Sequence, residues 1–533
     1  MSAASRREGW TPARSVAGGR NPWSIVAVIS IATFMVVLDT SIANVALAHI
    51  AGSLSASYDE ATWVVTSFLI ANAVIIPVSG WLADVVGRKR YYMISVGLFT
   101  GASLLCGLAP SLGFLVAARV LQGIGGGGLA PVEQSMLADT FPPSKRGLAF
   151  AAYGLVVVTA PILGPSLGGW ITDNYSWHWV FLINVPVGLL SLVLVSIYVD
   201  EPKALRDRAA ELRKDGLSID YVGFALVALW LGCMEVTLDR GQRDDWFSSP
   251  VIIFFAIVAA LSFVALIPWE LMRKDPIVNL HLFRQRNFVI ASVLLMVLGM
   301  VIFGSTQFIP QLLQEVLGYT AYDAGLALTA GGAVTILAMP IVGVLSGRVD
   351  ARYLIGFGFG MQIVAFWYMG HLSTGMAFEN AAFARLLQAA GLPFMFIPIS
   401  IVAYVGLKPE ENNQASALMN VMRNLGGTIG ISTVQTLLAR GEQIHQSRLV
   451  ENLNALNPNY VQATNQMTQA LRGEGAGANS AVLAHLYQSV QQQAAMLSYI
   501  DVFDLLMIVV ILTVPLLFLM QKGQASGTME VGA

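Results

Sequence analysis

The chain has 533 residues, 56% hydrophobic and only 12% charged, with 30 Lys+Arg against 32 Asp+Glu for a formal net charge of −2. A soluble protein carries about a quarter of its residues as charge, so a water-soluble globule is excluded. The near-neutral balance lacks the concentrated basic face that phosphate backbones need, which excludes nucleic acid as a partner.

A bilayer core about 30 Å thick takes about 20 apolar residues wound as a helix, because lipid cannot pair exposed backbone groups. Fourteen such runs are legible, at 23–48, 61–82, 91–110, 112–137, 148–172, 178–199, 219–238, 249–269, 288–312, 322–346, 353–371, 381–405, 415–439 and 499–520. The expected fold class is all-α integral membrane. With the N-terminus inside, 22 of the 30 Lys and Arg fall on cytoplasmic segments, five on the opposite side and three (Arg119, Arg385, Arg423) within spans. That bias agrees with retention of positive loops in the cytoplasm and puts both termini there. Arg6, Arg7, Arg14 and Arg20 ahead of an apolar run would suit a signal peptide, but the run is too long, contains Asp39 and is followed at once by a second span. A retained anchor is expected. Cys106 and Cys233 lie in apolar runs and suggest no disulfide framework.

An internal repeat organises these spans. Gly80-Trp81-Leu82-Ala83-Asp84 matches Gly343-Val344-Leu345-Ser346-Gly347 at an offset of 263, and Ala118-Arg119-Val120-Leu121-Gln122 matches Ala384-Arg385-Leu386-Leu387-Gln388 at 266. Repeated helical halves around a midplane site are the plan of many secondary transporters. The expected organisation is 6 + 2 + 6: a tail (1–22), a six-helix bundle (23–199), a linker (200–218), two inserted helices (219–269), a linker (270–287), a second bundle (288–520) with an outer loop at 441–498, and a tail (521–533).

The stretch Gly80 to Arg90 reads G-W-L-A-D-V-V-G-R-K-R across a short cytoplasmic turn. Glycines there permit close helix approach, the basic residues hold the turn inside, and Asp84 can grip a facing helix N-terminus or an Arg in one conformation only. Gly80, Asp84, Gly87, Arg88 and Lys89 are therefore the candidate latch. This stretch resembles the loop between the second and third spans of the major facilitator superfamily. The resemblance extends to Leu115–Gly127, which is similar to the fourth-span motif with its intramembrane Arg, and to Ala160–Gly169, which is similar to the fifth-span motif of antiporters. Leu38–Ala46, Trp177–Pro186 and Leu238–Gly241 resemble the fourteen-span drug:proton antiporters of the EmrB/QacA type, as does the long loop before the last span. Ala48 and Phe68 depart from that pattern, where Pro and often Tyr are found.

Charges within spans cost roughly 2.5–3.5 kcal/mol each on insertion scales and need a reason. Asp39 enters about 24 Å from the cytoplasmic end and Arg119 about 10 Å from the other, so their depths nearly coincide. Asp39 is the expected proton carrier, with Arg119 tuning it; a permanently ionised brace between spans one and four is the alternative. Glu133 is a second candidate for proton coupling, or it bends out to the headgroups. Glu235 and Glu270 are expected at interfaces, and Arg423 beside a cytoplasmic-side carboxylate. In the fifth span Gly164, Pro165, Gly168 and Gly169 provide a flat, locally bent face; the resemblance implies that this face prevents leak in an antiporter. Asn44, Phe68, Gln307, Phe394 and Phe396 are candidate substrate-cavity residues.

Gly123-x-Gly125-x-x-Gly128 fits the dinucleotide-loop expression but lies in a membrane helix with no strand before it. No H-E-x-x-H, G-x-S-x-G or P-loop pattern occurs and the six His show no metal spacing, which disfavours an integral membrane enzyme. The expected function is proton-coupled export of hydrophobic or amphiphilic toxic compounds across a bacterial cytoplasmic membrane, with no cofactor beyond the proton gradient. A dedicated exporter of one metabolite or siderophore is the alternative. The resemblance implies a periplasmic membrane-fusion adaptor and an outer-membrane channel as partners for the 441–498 loop, where 480–499 is expected to continue the last span outward as a helix; a flexible spacer is the other reading of that loop.

Overall fold

The computed structural model describes residues 21–201, 206–207, 220–273, 276–451, 453–454, 456–470 and 478–521. Most of both expected tails and of the 200–218 linker lie outside these residues.

The first group of long helices comprises α1 (Pro22–Ser53), α2 (Trp63–Val86), α3 (Arg88–Gly107), α4 (Leu112–Gly127) continued by α5 (Leu129–Thr140), α6 (Pro143–Asn174) and α7 (Asn184–Tyr198). An antiparallel pair follows, α8 (Tyr221–Arg240) and α9 (Pro250–Met272). The second group comprises α10 (Arg286–Gln311), α11 (Ala321–Leu345), α12 (Ala351–Gly370), α13 (Phe378–Val402), α14 (Asn412–Glu451), a shorter α15 (Pro458–Ala470) and α16 (Ala478–Thr513).

Local chemistry fixes the helix starts. Asn21 accepts from the Trp23 amide ahead of Pro22, whose missing N–H costs nothing in a first turn. Thr320 and Asp323 close a reciprocal capping box on α11. The Gly126-Gly127-Gly128 run divides the fourth span into α4 and α5, so the dinucleotide-like glycines serve helix packing: a Cβ at Gly123 would lie 2.5 Å from the Phe68 carbonyl oxygen. The last expected span ends earlier than its apolar run, at Thr513, because Pro515 cannot donate to the helix ladder. At its other end the helix starts at Ala478, so 480–499 is helical and continuous with the last expected span as α16, beside an α14 that runs on to Glu451.

Within the first group α2 and α3 pack on α4, and α1 on α6 and α7; within the second α10 packs on α14, α13 on α11 and α12, and α16 on α12 and α14. The groups meet where α2 and α5 touch α14 and where α6 touches α11. Both repeated glycines stand at these crossings. A Cβ on Gly80 would lie 2.9 Å from the Asn413 carbonyl oxygen at the start of α14, and one on Gly343 would lie 2.8 Å from Ala151 of α6.

Eleven helices among the described residues are long and apolar enough to cross a membrane. The long helices α3, α6 and α14 pack among them. The exposed stripe Val251, Phe254, Ile257, Leu261 and Val264 on α9 recurs every three to four residues and offers an apolar face to the surroundings.

Candidate functional site

Five elements converge on a buried polar cluster. Arg119 of α4 places Nη1 2.5 Å from Asp39 Oδ2 on α1, with both side chains fully buried. Gln122, one turn along α4, donates to Asp39 Oδ1 at 2.9 Å and to Ser103 Oγ of α3 at 2.8 Å, while Asn184 at the start of α7 donates to Asp39 Oδ1 at 2.7 Å. Three donors thus meet an acceptor-only carboxylate. The guanidinium also donates to the Val64 carbonyl of α2 at 2.8 Å and to Gln122 Oε1 at 2.6 Å, and it lies 4.2 Å above the Phe68 ring. The stacking adds a cation–π contact in a desolvated place.

Glu133 of α5 is fully buried and turns inward, not toward headgroups: it accepts from Thr33 Oγ1 at 2.5 Å and from Tyr92 Oη at 3.3 Å. No Lys, Arg or His among the described residues stands at ion-pair distance from it. Glu235 and Glu270, expected at interfaces, are both buried against protein. Glu235 of α8 is buried and accepts from Thr428 of α14 at 3.1 Å, and Glu270 is buried beneath the Val278 amide, which donates to it at 3.4 Å. Arg423 donates to the Asn420 amide oxygen at 2.8 Å; an amide, not a carboxylate, occupies the place expected for its partner.

The residues expected to form a latch divide between two tasks. Asp84 accepts from the Asn413 side chain, and Asn413 in turn accepts from Ser135 of α5. Arg88 pairs with Asp139 of its own helix group, and Asp139 also accepts from Asn412 at 2.6 Å, so Arg88 reaches the second group through one intermediary. Asn420 adds a bond to Gln134 at 2.9 Å. Gly87 and Lys89 serve the first group alone. Gly87 adopts φ +96°, a conformation that favours glycine, and there the Glu201 carboxylate accepts from the amides of Arg88 (2.9 Å) and Lys89 (3.1 Å), neutralising the positive start of α3. Lys89 Nζ reaches the Ser196 carbonyl at 2.9 Å.

On α6, Gly164 and Gly168 face α1: a Cβ on either would meet Ser41 or Ile42, whereas Gly169 faces nothing within 4 Å. Because Pro165 has no N–H, the carbonyl of Pro161 lacks its helical donor, and Ser41 Oγ takes that place at 3.4 Å. The side chains of Pro165 and of the candidate cavity residue Gln307 lie outside the described residues. The other cavity candidates scatter. Asn44 is exposed, Phe68 belongs to the Asp39 cluster, Phe394 packs edge-on against Phe357 of α12 at 4.7 Å, and Phe396 is buried where a Cβ on Gly154 of α6 would touch it.

A family model described as Major Facilitator Superfamily matches residues 29–431. The chain belongs to that superfamily. The Multidrug export protein EmrB of Escherichia coli (strain K12) is 43% identical over 432 residues, 81% of this chain and 83% of that protein. The Fatty acid resistance protein FarB of Neisseria gonorrhoeae is 35% identical over 499 residues, 94% and 96% of the two chains. These matches place the chain in the EmrB/QacA-type branch of the superfamily. The human organic anion transporter MFSD10 (TETRAN) shares the major facilitator fold at a TM-score of 0.56 and 12% identity, covering 92% of this chain and 99% of that one.

Gln122, Asn184 and Ser103 were not singled out as site residues, nor were Asn412, Asn413 and Asp139. For Gln122 and Asn184 the signal was present, since each is a polar residue within an apolar run of this major facilitator chain, where an unpartnered amide is costly. Asn412 and Asn413 lie between two runs, where polar residues are ordinary.

Proposed function

We propose that this protein is a proton-coupled antiporter that exports hydrophobic or amphiphilic drugs and toxic compounds across the cytoplasmic membrane. In this reading fourteen spans, arranged 6 + 2 + 6 with both termini in the cytoplasm, rock about a central cavity. The observation that carries it is the buried Asp39–Arg119 pair with its two amide donors. Protonation of Asp39 removes the charge that Arg119, Gln122 and Asn184 jointly satisfy, so gain and loss of one proton changes how α1, α4 and α7 hold together. Glu133, buried without a cation, is the second proton site. The bonds from α14 to Asp84, Asp139, Gln134 and Ser135 close the cytoplasmic end, and the conformation is the one open outward. The relatives' names, multidrug export and fatty acid resistance, support the substrate class. The outward extensions of α14 and α16 serve a periplasmic adaptor and, through it, an outer-membrane channel.

The test is efflux of a lipophilic dye from proteoliposomes under an imposed pH gradient. Asp39→Asn should abolish gradient-driven efflux while downhill exchange of dye persists. Undiminished gradient-driven efflux by this variant would overturn the carrier role and leave the pair as a brace.

A further inference from the structure

The internal repeat has a second buried arginine, and its surroundings differ from the first in one respect. The offset of 266 that carries Arg119 onto Arg385 and Gln122 onto Gln388 carries Asp39 onto Ser305. The geometry follows the register. Arg385 Nη1 donates to Gln388 Oε1, as Arg119 does to Gln122, and it reaches Ser305 Oγ at 3.3 Å where Arg119 reaches the Asp39 carboxylate. A hydroxyl therefore stands where the first half has its counter-charge. Among the described residues no carboxylate lies at ion-pair distance from Arg385.

A guanidinium inside a membrane helix bundle is costly unless an anion meets it. Arg385 is 7% exposed whereas Arg119 is sealed at 0%. Around it other polar atoms are idle: Arg385 Nε, Gln388 Nε2 and Gln362 Oε1 make no hydrogen bond. Two of these are donors in one cluster. Gln362 is itself fixed, its Nε2 donating to the Gln388 carbonyl at 2.7 Å, and Gly331 of α11 presents no side chain over the arginine stem.

We infer that Arg385, with Gln388 and Ser305, forms an anion site in the second helix group that takes the carboxylate of an amphiphilic substrate. A carboxylate has the two acceptor oxygens that a guanidinium edge and an amide N–H would fill, and the apolar bundle around the site suits the rest of such a molecule. The inference rests on the export reading above and narrows its substrate class: one half supplies the titrating acid, and the other leaves its arginine for the cargo.

The test is equilibrium binding to the full-length protein in nanodiscs without any gradient, using three probes of one shape: 2-naphthoate, 2-naphthalenemethanol and 2-naphthylmethylammonium. Wild type should prefer naphthoate to the alcohol. Arg385→Gln should weaken naphthoate at least tenfold relative to the other two probes, with Arg385→Lys intermediate. Ser305→Asp restores the internal carboxylate of the first half and should have the same selective effect without removing the arginine, which guards against a misfolded Arg385→Gln. Equal naphthoate binding by wild type and Ser305→Asp, or a wild type that binds chloride but shows no preference for naphthoate, would overturn the site. Because no gradient is applied, failure here leaves proton-coupled export standing, and failure of gradient-driven dye efflux leaves this binding result standing.

Discussion

Replacing Gly80 with Ala should unlatch the end of the bundle at which α2 meets α14. The added Cβ would lie 2.9 Å from both the Asn413 carbonyl oxygen and the Gln414 Cα, and both are backbone atoms that cannot rotate aside. The helices must separate, and the bonds nearest the contact are those of Asn413 with Asp84 and with Ser135. A bond to a charged group contributes about 1.5–3 kcal/mol and a neutral one about 0.5–1.5, so losing both shifts the equilibrium by about 2–4.5 kcal/mol, roughly 30- to 2,000-fold. The readout is a short bismaleimide bridge between cysteines at Lys145, in the first turn of α6, and Arg348, in the turn after α11 that lies beside it, both exposed, in a chain whose Cys106 and Cys233 are replaced. Bridging should fall from near-complete to a minor fraction in Gly80→Ala and be restored by no change confined to the outer end. Unchanged bridging would refute the view that this glycine seats α14.

Glu133→Gln should leave folding intact, since Thr33 and Tyr92 can still hydrogen-bond the amide, yet lower the number of protons moved per dye molecule; equal flux ratios in wild type and variant would remove it from the coupling path. Gly164→Val would drive a side chain into Ser41 and break its bond to the Pro161 carbonyl, an overpacking cost of about 1–3 kcal/mol, and should raise proton leak without substrate; a leak rate equal to wild type would count against the seal. Replacing 458–470 with a Gly-Ser linker should leave efflux in proteoliposomes unaltered and abolish drug resistance in cells; retained resistance would remove adaptor docking from this segment.

The order and approximate limits of the long helices were legible because lipid imposes one length and one composition on every crossing, and because the repeat recurs at nearly constant offset. Helix ends were less so. The last helix stops at Thr513, short of the end of its apolar run, since hydropathy does not register that Pro515 cannot donate to the helix ladder. Asp39 and Arg119 were found from cost alone: an unpaired charge in lipid demands an account. The amides that complete the cluster carry a smaller penalty and a correspondingly weaker signal. The partner of Arg423 is an amide and not the expected carboxylate because its neighbour Asn420 is on its own helix, and the partner of Glu235 was not legible because the helix it binds is nearly two hundred residues away in the chain.

The two halves share a scaffold and differ in charge, and the inserted pair joins them on terms that neither half shows alone. Along α8, Asp239 accepts from Thr66 of α2 at 2.7 Å and Glu235, one turn earlier, accepts from Thr428 of α14 at 3.1 Å. One face of α8 thus holds a helix of each group. On the rocking proposed above, separating α2 from α14 at the Gly80 crossing would strain or release one of these two contacts. In that motion α8 would be coupled to the same crossing at which Asn413 bonds Asp84 and Ser135. A six-plus-six bundle would lack this link through α8 between α2 and α14.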